Sequence, residues 1–193
     1  DKKKRAIANC SKAGLAVVLV CCVIPGGNEA ELGEIVRFAK DNTPTVKGVF
    51  FQPLSFFGHY PDTEKQRLTT PDILRALFRQ TNGEVLPEHF LPGRCEHSQC
   101  SFGAFYQLDR DNRLYALTRL QPGARSENAH LRVRESIKKT WKPGPQRTLT
   151  VGGMAFMDAW NLDATRLSRC TVQIIGRNGW LMPLCGKYLT STC

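Results

Sequence analysis

Apolar positions change their period along the chain, and the changes mark its elements. Ala6, Ile7, Cys10 and Ala13 recur at helical spacing, with Gly14 where a helix-ending glycine belongs. Leu15 to Ile24 is continuously apolar and rich in β-branched residues, which predicts a strand buried on both faces, as in a parallel sheet. Pro25-Gly26-Gly27-Asn28 breaks it. Glu29 to Lys40 then reads as an amphipathic helix, with Leu32, Ile35, Val36 and Ala39 on one face and acidic residues in its first turn. Val46 to Pro53 is a second buried strand, 54–68 a loop, and Thr70-Pro71-Asp72 the start of a helix running to about Gln80. Asn82-Gly83 closes that helix. Alternating helix and strand is an α/β pattern with right-handed crossovers.

After a soft boundary near residue 83 the periodicity becomes irregular. Pro87, Pro92 and Gly93 mark an extended loop leading to Cys95. Ala104–Leu108 and Arg113–Leu117 flank Asp109-Arg110-Asp111-Asn112 as a hairpin, and so do Cys170–Ile175 and Trp180–Leu184 around Arg177-Asn178-Gly179. Between them, 121–128 reads as a polar loop, 131–141 as helical, Thr148–Val151 as a short strand and Leu162-Asp163 as the start of another helical turn. The two parts are 1–83, an α/β unit, and 84–193, an irregular α+β extension.

Composition narrows the picture only a little. The chain has 193 residues, is 41% hydrophobic and 23% charged, and carries a formal charge of +10, values ordinary for a globular protein able to bury a core. The positive excess permits anionic partners without selecting one. Aromatic residues are not interleaved with the basic ones as a nucleic-acid platform needs, so no nucleic acid is expected. The longest apolar run, about ten residues by the bilayer criterion, is too short to be a transmembrane segment. With no apolar signal segment at its start the expected setting is cytoplasmic, at most peripheral to a membrane. There, cysteines serve more often as ligands or core thiols than as disulfides.

Of the eight cysteines, two spaced pairs hold the candidate chemistry. Cys95 and Cys100 sit on a loop with four residues between them, and Cys170 and Cys185 begin and end a hairpin. Two adjacent pairs can supply the four thiolates of a closed site, although the spacing matches no standard zinc finger. Separate buried thiols or a disulfide are the plainer alternatives. His97, between the first pair, is a ligand, a donor to one, or an exposed loop residue. Cys10, Cys21 and Cys22 read as core thiols and Cys193 as incidental. A weaker motif is the strand end Ile24-Pro25-Gly26-Gly27-Asn28-Glu29, joined by Gln52 at the end of the next strand. Ligands of α/β folds bind at the carboxyl ends of strands, but a tight turn with a capping asparagine explains the same residues.

Three blocks together resemble the tetraether lipid synthase and TrsS-like group of radical S-adenosylmethionine (SAM) proteins. They are Ala13 to Glu29 with Gly48 to Ser55, Leu91 to Cys100, and Met154 to Asp163 continuing through Cys170, Asn178-Gly179, Cys185 and Tyr188 to Thr190. The resemblance covers nearly the whole chain. It implies the last strands and helices of a radical SAM (β/α) barrel, a TIM-barrel fragment, followed by a cluster-binding extension. Ile24, Gly26 and Glu29 match the family's Ile-x-Gly-x-x-Glu pattern near the adenine, with Asn28 and Gln52 beside them, and Cys22 stands where a glycine sometimes precedes it. Cys95, Cys100, Cys170 and Cys185 match the ligands of an auxiliary 4Fe–4S cluster.

The implied activity is radical chemistry on an unactivated carbon of a lipid or small molecule, using SAM and 4Fe–4S clusters. The family's Cys-x-x-x-Cys-x-x-Cys segment does not occur here. The chain therefore reads as a C-terminal fragment partnered by a missing N-terminal barrel half, inactive alone and forming no 5′-deoxyadenosine. From another class, the same four cysteines suit a zinc-stabilised basic binding module.

Overall fold

The computed structural model describes residues 2–57, 67–93, 97–118 and 146–190. Its elements are α1 (Lys2–Lys12), β1 (Val17–Val23), a 3-10 turn (Glu29–Glu31), α2 (Leu32–Asp41), β2 (Val46–Pro53) and α3 (Thr70–Gln80). A second 3-10 turn (Pro87–His89) leads to β3 (Leu91–Pro92), β4 (Ser101–Leu108) and β5 (Leu114–Ala116). The chain closes with β6 (Thr148–Met154), α4 (Ala164–Ser168), β7 (Gln173–Ile175), β8 (Leu181–Pro183) and α5 (Leu184–Thr190). β7 and β8 form a two-stranded sheet of their own, and the other six strands form one mixed sheet against which α2 and α3 pack.

That sheet has the order β1-β2-β6-β4-β3, with β5 also on β4. β1, β2 and β6 are parallel, and β4 runs antiparallel to β6. A strand from each side of residue 83, β2 and β6, thus forms one hydrogen-bonded pair. Among the described residues the sheet is open, with β1 at its edge. Both predicted hairpins form, β4/β5 and β7/β8, the latter turning through Gly179 at φ +77°. The helix predicted over 131–141 lies outside the described residues, as do Cys95 and Cys193.

Alternation of side chains sorts the sheet into two faces. Val49, Phe51, Val151, Ala104 and Tyr106 are completely buried on one of them, where they pack with Leu32, Val36, Ile73 and Leu77 of α2 and α3 in one core. Replacing Phe51 by alanine in such a core would cost about 3–5 kcal/mol. The register places Gly153 between Phe51 and Phe102, and a Cβ there would collide with the Phe51 carbonyl and the Phe102 ring. Only glycine lets the two strands close at that point. α3 begins as its sequence demands: the Asp72 carboxylate accepts from the Thr69 N–H at 2.8 Å and from its hydroxyl, which holds that carboxyl below its ordinary range.

The other face carries Val18, Val20 and Cys22 of β1, all exposed, with Val20 at 62%. The expectation that β1 is buried on both faces is therefore corrected. Val17, Leu19, Cys21 and Val23 face the core side while their neighbours face outward, because among the described residues only one face of the sheet is covered at β1. Cys22 is accordingly not a core thiol. Among the described residues no helix is long and apolar enough to cross a membrane.

Candidate metal centre at the carboxyl end of the sheet

Parallel strands point their carboxyl ends the same way, and both candidate motifs lie at that end. The first is the turn after β1. Gly26 has φ +65°, a conformation that favours glycine, and its N–H donates to Glu29 Oε2. Asn28 Oδ1 accepts from the Ile24 N–H at 2.8 Å, and its Nδ2 donates to the Cys22 carbonyl at 3.0 Å. The Glu29 carbonyl is taken by Gln80 Nε2 at 2.7 Å. The Asn28 amide, one Glu29 carboxylate oxygen and the Glu29 carbonyl thus have partners within the chain. Gln52 stands half-buried opposite Cys22 in the adjacent strand.

The second is the cysteine site. Cys100 immediately precedes β4, and its carbonyl accepts from the Ala155 N–H at 2.7 Å, which ties it to the end of β6. Cys170 follows α4, and Cys185 lies in the first turn of α5, brought back by the β7/β8 pairing of Gln173 with Pro183. The three line one cavity of about 20 Å³ together with His97, Arg166 and the apolar side chains of Met154, Phe156, Met157 and Val172. That volume has room for about one water-sized body. Among the described residues no three Cys, His, Asp or Glu side chains are grouped as a single bound metal ion would need.

Each sulfur has a distinct setting. Cys185 is buried and accepts from the Met157 N–H at 3.3 Å. Burial pushes its thiol up, the Met157 N–H opposes that, and the nearby Cys170 and Cys100 push it further. Cys170 Sγ donates to the Val172 carbonyl at 3.4 Å, and Cys100 Sγ accepts from Arg166 Nη2 at 3.0 Å. His97 is exposed, and its Nδ1 accepts from the Gln99 N–H at 3.3 Å.

Two charged residues that patterning does not single out support this site. Asp158 is fully buried and pairs with Arg67 Nη2 at 2.6 Å, while also accepting from the Phe56 and Trp160 N–H groups at 2.8 and 3.1 Å. With the Ser55 hydroxyl donating to the Phe156 carbonyl at 3.0 Å, these bonds join the loop after β2 to the loop after β6. Arg166 is the other. The only hint in the sequence is an ionisable residue, Asp158, inside the apolar stretch that begins at Met154; nothing comparable marks Arg166.

No family model matches the chain. It is 25% identical over 253 aligned positions to 7,8-dihydro-6-hydroxymethylpterin dimethyltransferase of Methanocaldococcus jannaschii, covering 95% of this chain and 50% of that protein. The chain thus spans about half the length of the curated relative it matches. The match is in keeping with a radical SAM relative and carries no link to the tetraether lipid synthases.

Proposed function

We propose that this chain is the C-terminal part of a radical SAM enzyme acting in methyl transfer, with an auxiliary iron–sulfur site at Cys95, Cys100, Cys170 and Cys185. The observation that carries the reading is the meeting of three cysteines, from three separate elements, at one cavity beside the carboxyl end of β6. The donor set suits the group: soft thiols, an apolar lining, a guanidinium on one sulfur and, among the described residues, no carboxylate in the lining. Such a cluster supplies electron transfer when bound. The chain's own residues would hold it, exclude water through Met154, Phe156 and Met157, and fix Cys185 through the Met157 N–H.

The turn of Ile24, Gly26, Asn28 and Glu29, with Gln52, is the proposed edge of the SAM site in the whole protein. The edge position of β1 in the described sheet fits a sheet that continues into further strands of a barrel. A small heteroaromatic acceptor follows from analogy with the pterin named in the relative, and a lipid from the resemblance in the sequence.

Anaerobic reconstitution with iron and sulfide tests the reading. The expected result is bound iron and sulfide with broad absorbance near about 400 nm, the thiolate-to-iron region. The alternative raised by the sequence is a single zinc on the same cysteines. Stoichiometric zinc with no visible absorbance would establish that instead.

A further inference from the structure

We propose that Arg166 is the positioning residue of the cysteine site, holding the Cys100 sulfur in place and offsetting the negative charge of the bound thiolates. The inference rests on the metal-site reading above. α4 is short, but its start is fixed: Asp163 Oδ1 accepts from the Thr165 N–H at 2.9 Å and the Arg166 N–H at 3.1 Å. Arg166 therefore leaves the helix at a set angle. Its Nη2 donates to Cys100 Sγ at 3.0 Å, a bond between elements 66 residues apart in sequence.

The same side chain has a second donor with nothing to bind. Arg166 Nε is buried and has no hydrogen-bond partner among the described residues. A buried N–H left in that state is unfavourable, so its retention beside three thiols calls for an acceptor. A thiolate or a sulfide of a bound cluster is such an acceptor, and a planar guanidinium can serve two sulfurs at once where lysine serves as a point charge. Among the described residues no carboxylate lines the cavity to compete for the arginine. Hydrogen bonds and positive charge at cluster sulfurs raise the reduction potential, and the partners of metal ligands contribute to affinity.

The test uses the full chain, reconstituted anaerobically, as wild type, Arg166→Gln, Arg166→Lys and the exposed neighbour control Arg169→Gln. Arg166→Gln should lose iron to a chelator about 10-fold faster or more, with its reduction potential lowered. Arg166→Lys should recover part of the potential and little of the retention. Arg169→Gln should match wild type in both. Wild-type potential and retention in folded, loaded Arg166→Gln would overturn the proposal, and loss of fold in that variant would move the same comparison to Arg166→Lys. Uptake of zinc alone by the wild type would defeat the cluster reading, and Arg166 is then judged by zinc affinity in the same series. A wild-type chain that takes up neither metal overturns both.

Discussion

The turn after β1 and the cysteine cavity stand at the same end of the sheet, yet their polar groups are used in opposite ways. In the turn, Asn28 and Glu29 spend their side chains on the Ile24, Gly26 and Cys22 backbone. In the cavity the three sulfurs that line one space also have partners in the chain, but Arg166 keeps one buried donor, its Nε, unpaired among the described residues. A turn whose side chains bond its own backbone is explained by folding alone, whereas a buried donor left unpaired carries a cost that an acceptor would remove. Sequence motifs of similar appearance can therefore carry different weight once their hydrogen bonds are traced.

The largest expected effect follows from removing a sulfur. Cys100→Ala, Cys170→Ala and Cys185→Ala should each lose most of the bound iron, measured as iron per chain after gel filtration. Cys22→Ala, on the exposed face of β1, should keep all of it. Equal retention in all four variants would mean that the cavity is only a meeting of core thiols.

Next is Asp158→Ala. It would strand the Arg67 guanidinium and remove the carboxylate that accepts from the Phe56 and Trp160 N–H groups, for a loss of about 3 kcal/mol, the low end for a broken buried pair because Arg67 is partly exposed. Urea unfolding checks it. Since Asp158 joins the loops after β2 and β6, iron retention should fall with stability in this variant.

A smaller effect concerns pH. Burial raises the Cys185 thiol above its ordinary value, so near neutrality it is protonated in the folded chain and must release that proton to bind metal. Zinc affinity of the metal-free chain should therefore rise with pH, about 10-fold per unit for each proton displaced. In the metal-free chain the sign for stability is the reverse. The contribution of the neutral Cys185 thiol is present below its unfolded pKa and is lost as pH rises through the raised folded value. Competition with a chromophoric chelator from pH 6.5 to 8.5, conditions chosen to lie on the neutral side of about the usual thiol pKa, measures the first. A flat profile would remove Cys185 from the site.

Much of this was legible in the sequence, and what was not has physical reasons. The α/β alternation, both hairpins and the nearness of Cys170 to Cys185 follow from local period and turn chemistry. The uncovered face of β1 does not, because a run such as Val17 to Val23 reads the same whether one face is covered or two. Neither the Asp158–Arg67 pair nor the approach of Arg166 to Cys100 has a local signature. Each joins residues distant in sequence, 91 positions apart in the first case and 66 in the second, so only the packing of loops onto the sheet end brings them together.

The smallest effect bears most directly on the comparison between the two regions. Asn28→Ala would remove the acceptor of the Ile24 N–H and the donor to the Cys22 carbonyl, both partly open to water, at a cost of about 1 kcal/mol. Bound iron should be unchanged, since Asn28 does not line the cysteine cavity. If the turn is only a turn, SAM binding by the whole enzyme should weaken no more than this small loss of stability explains. If Asn28→Ala instead weakens SAM binding strongly while the melting temperature barely moves, its hydrogen bonds within the chain are a resting arrangement that SAM exchanges for its own. The turn would then join the cavity as a binding element, and the contrast between a satisfied motif and a waiting one would fail.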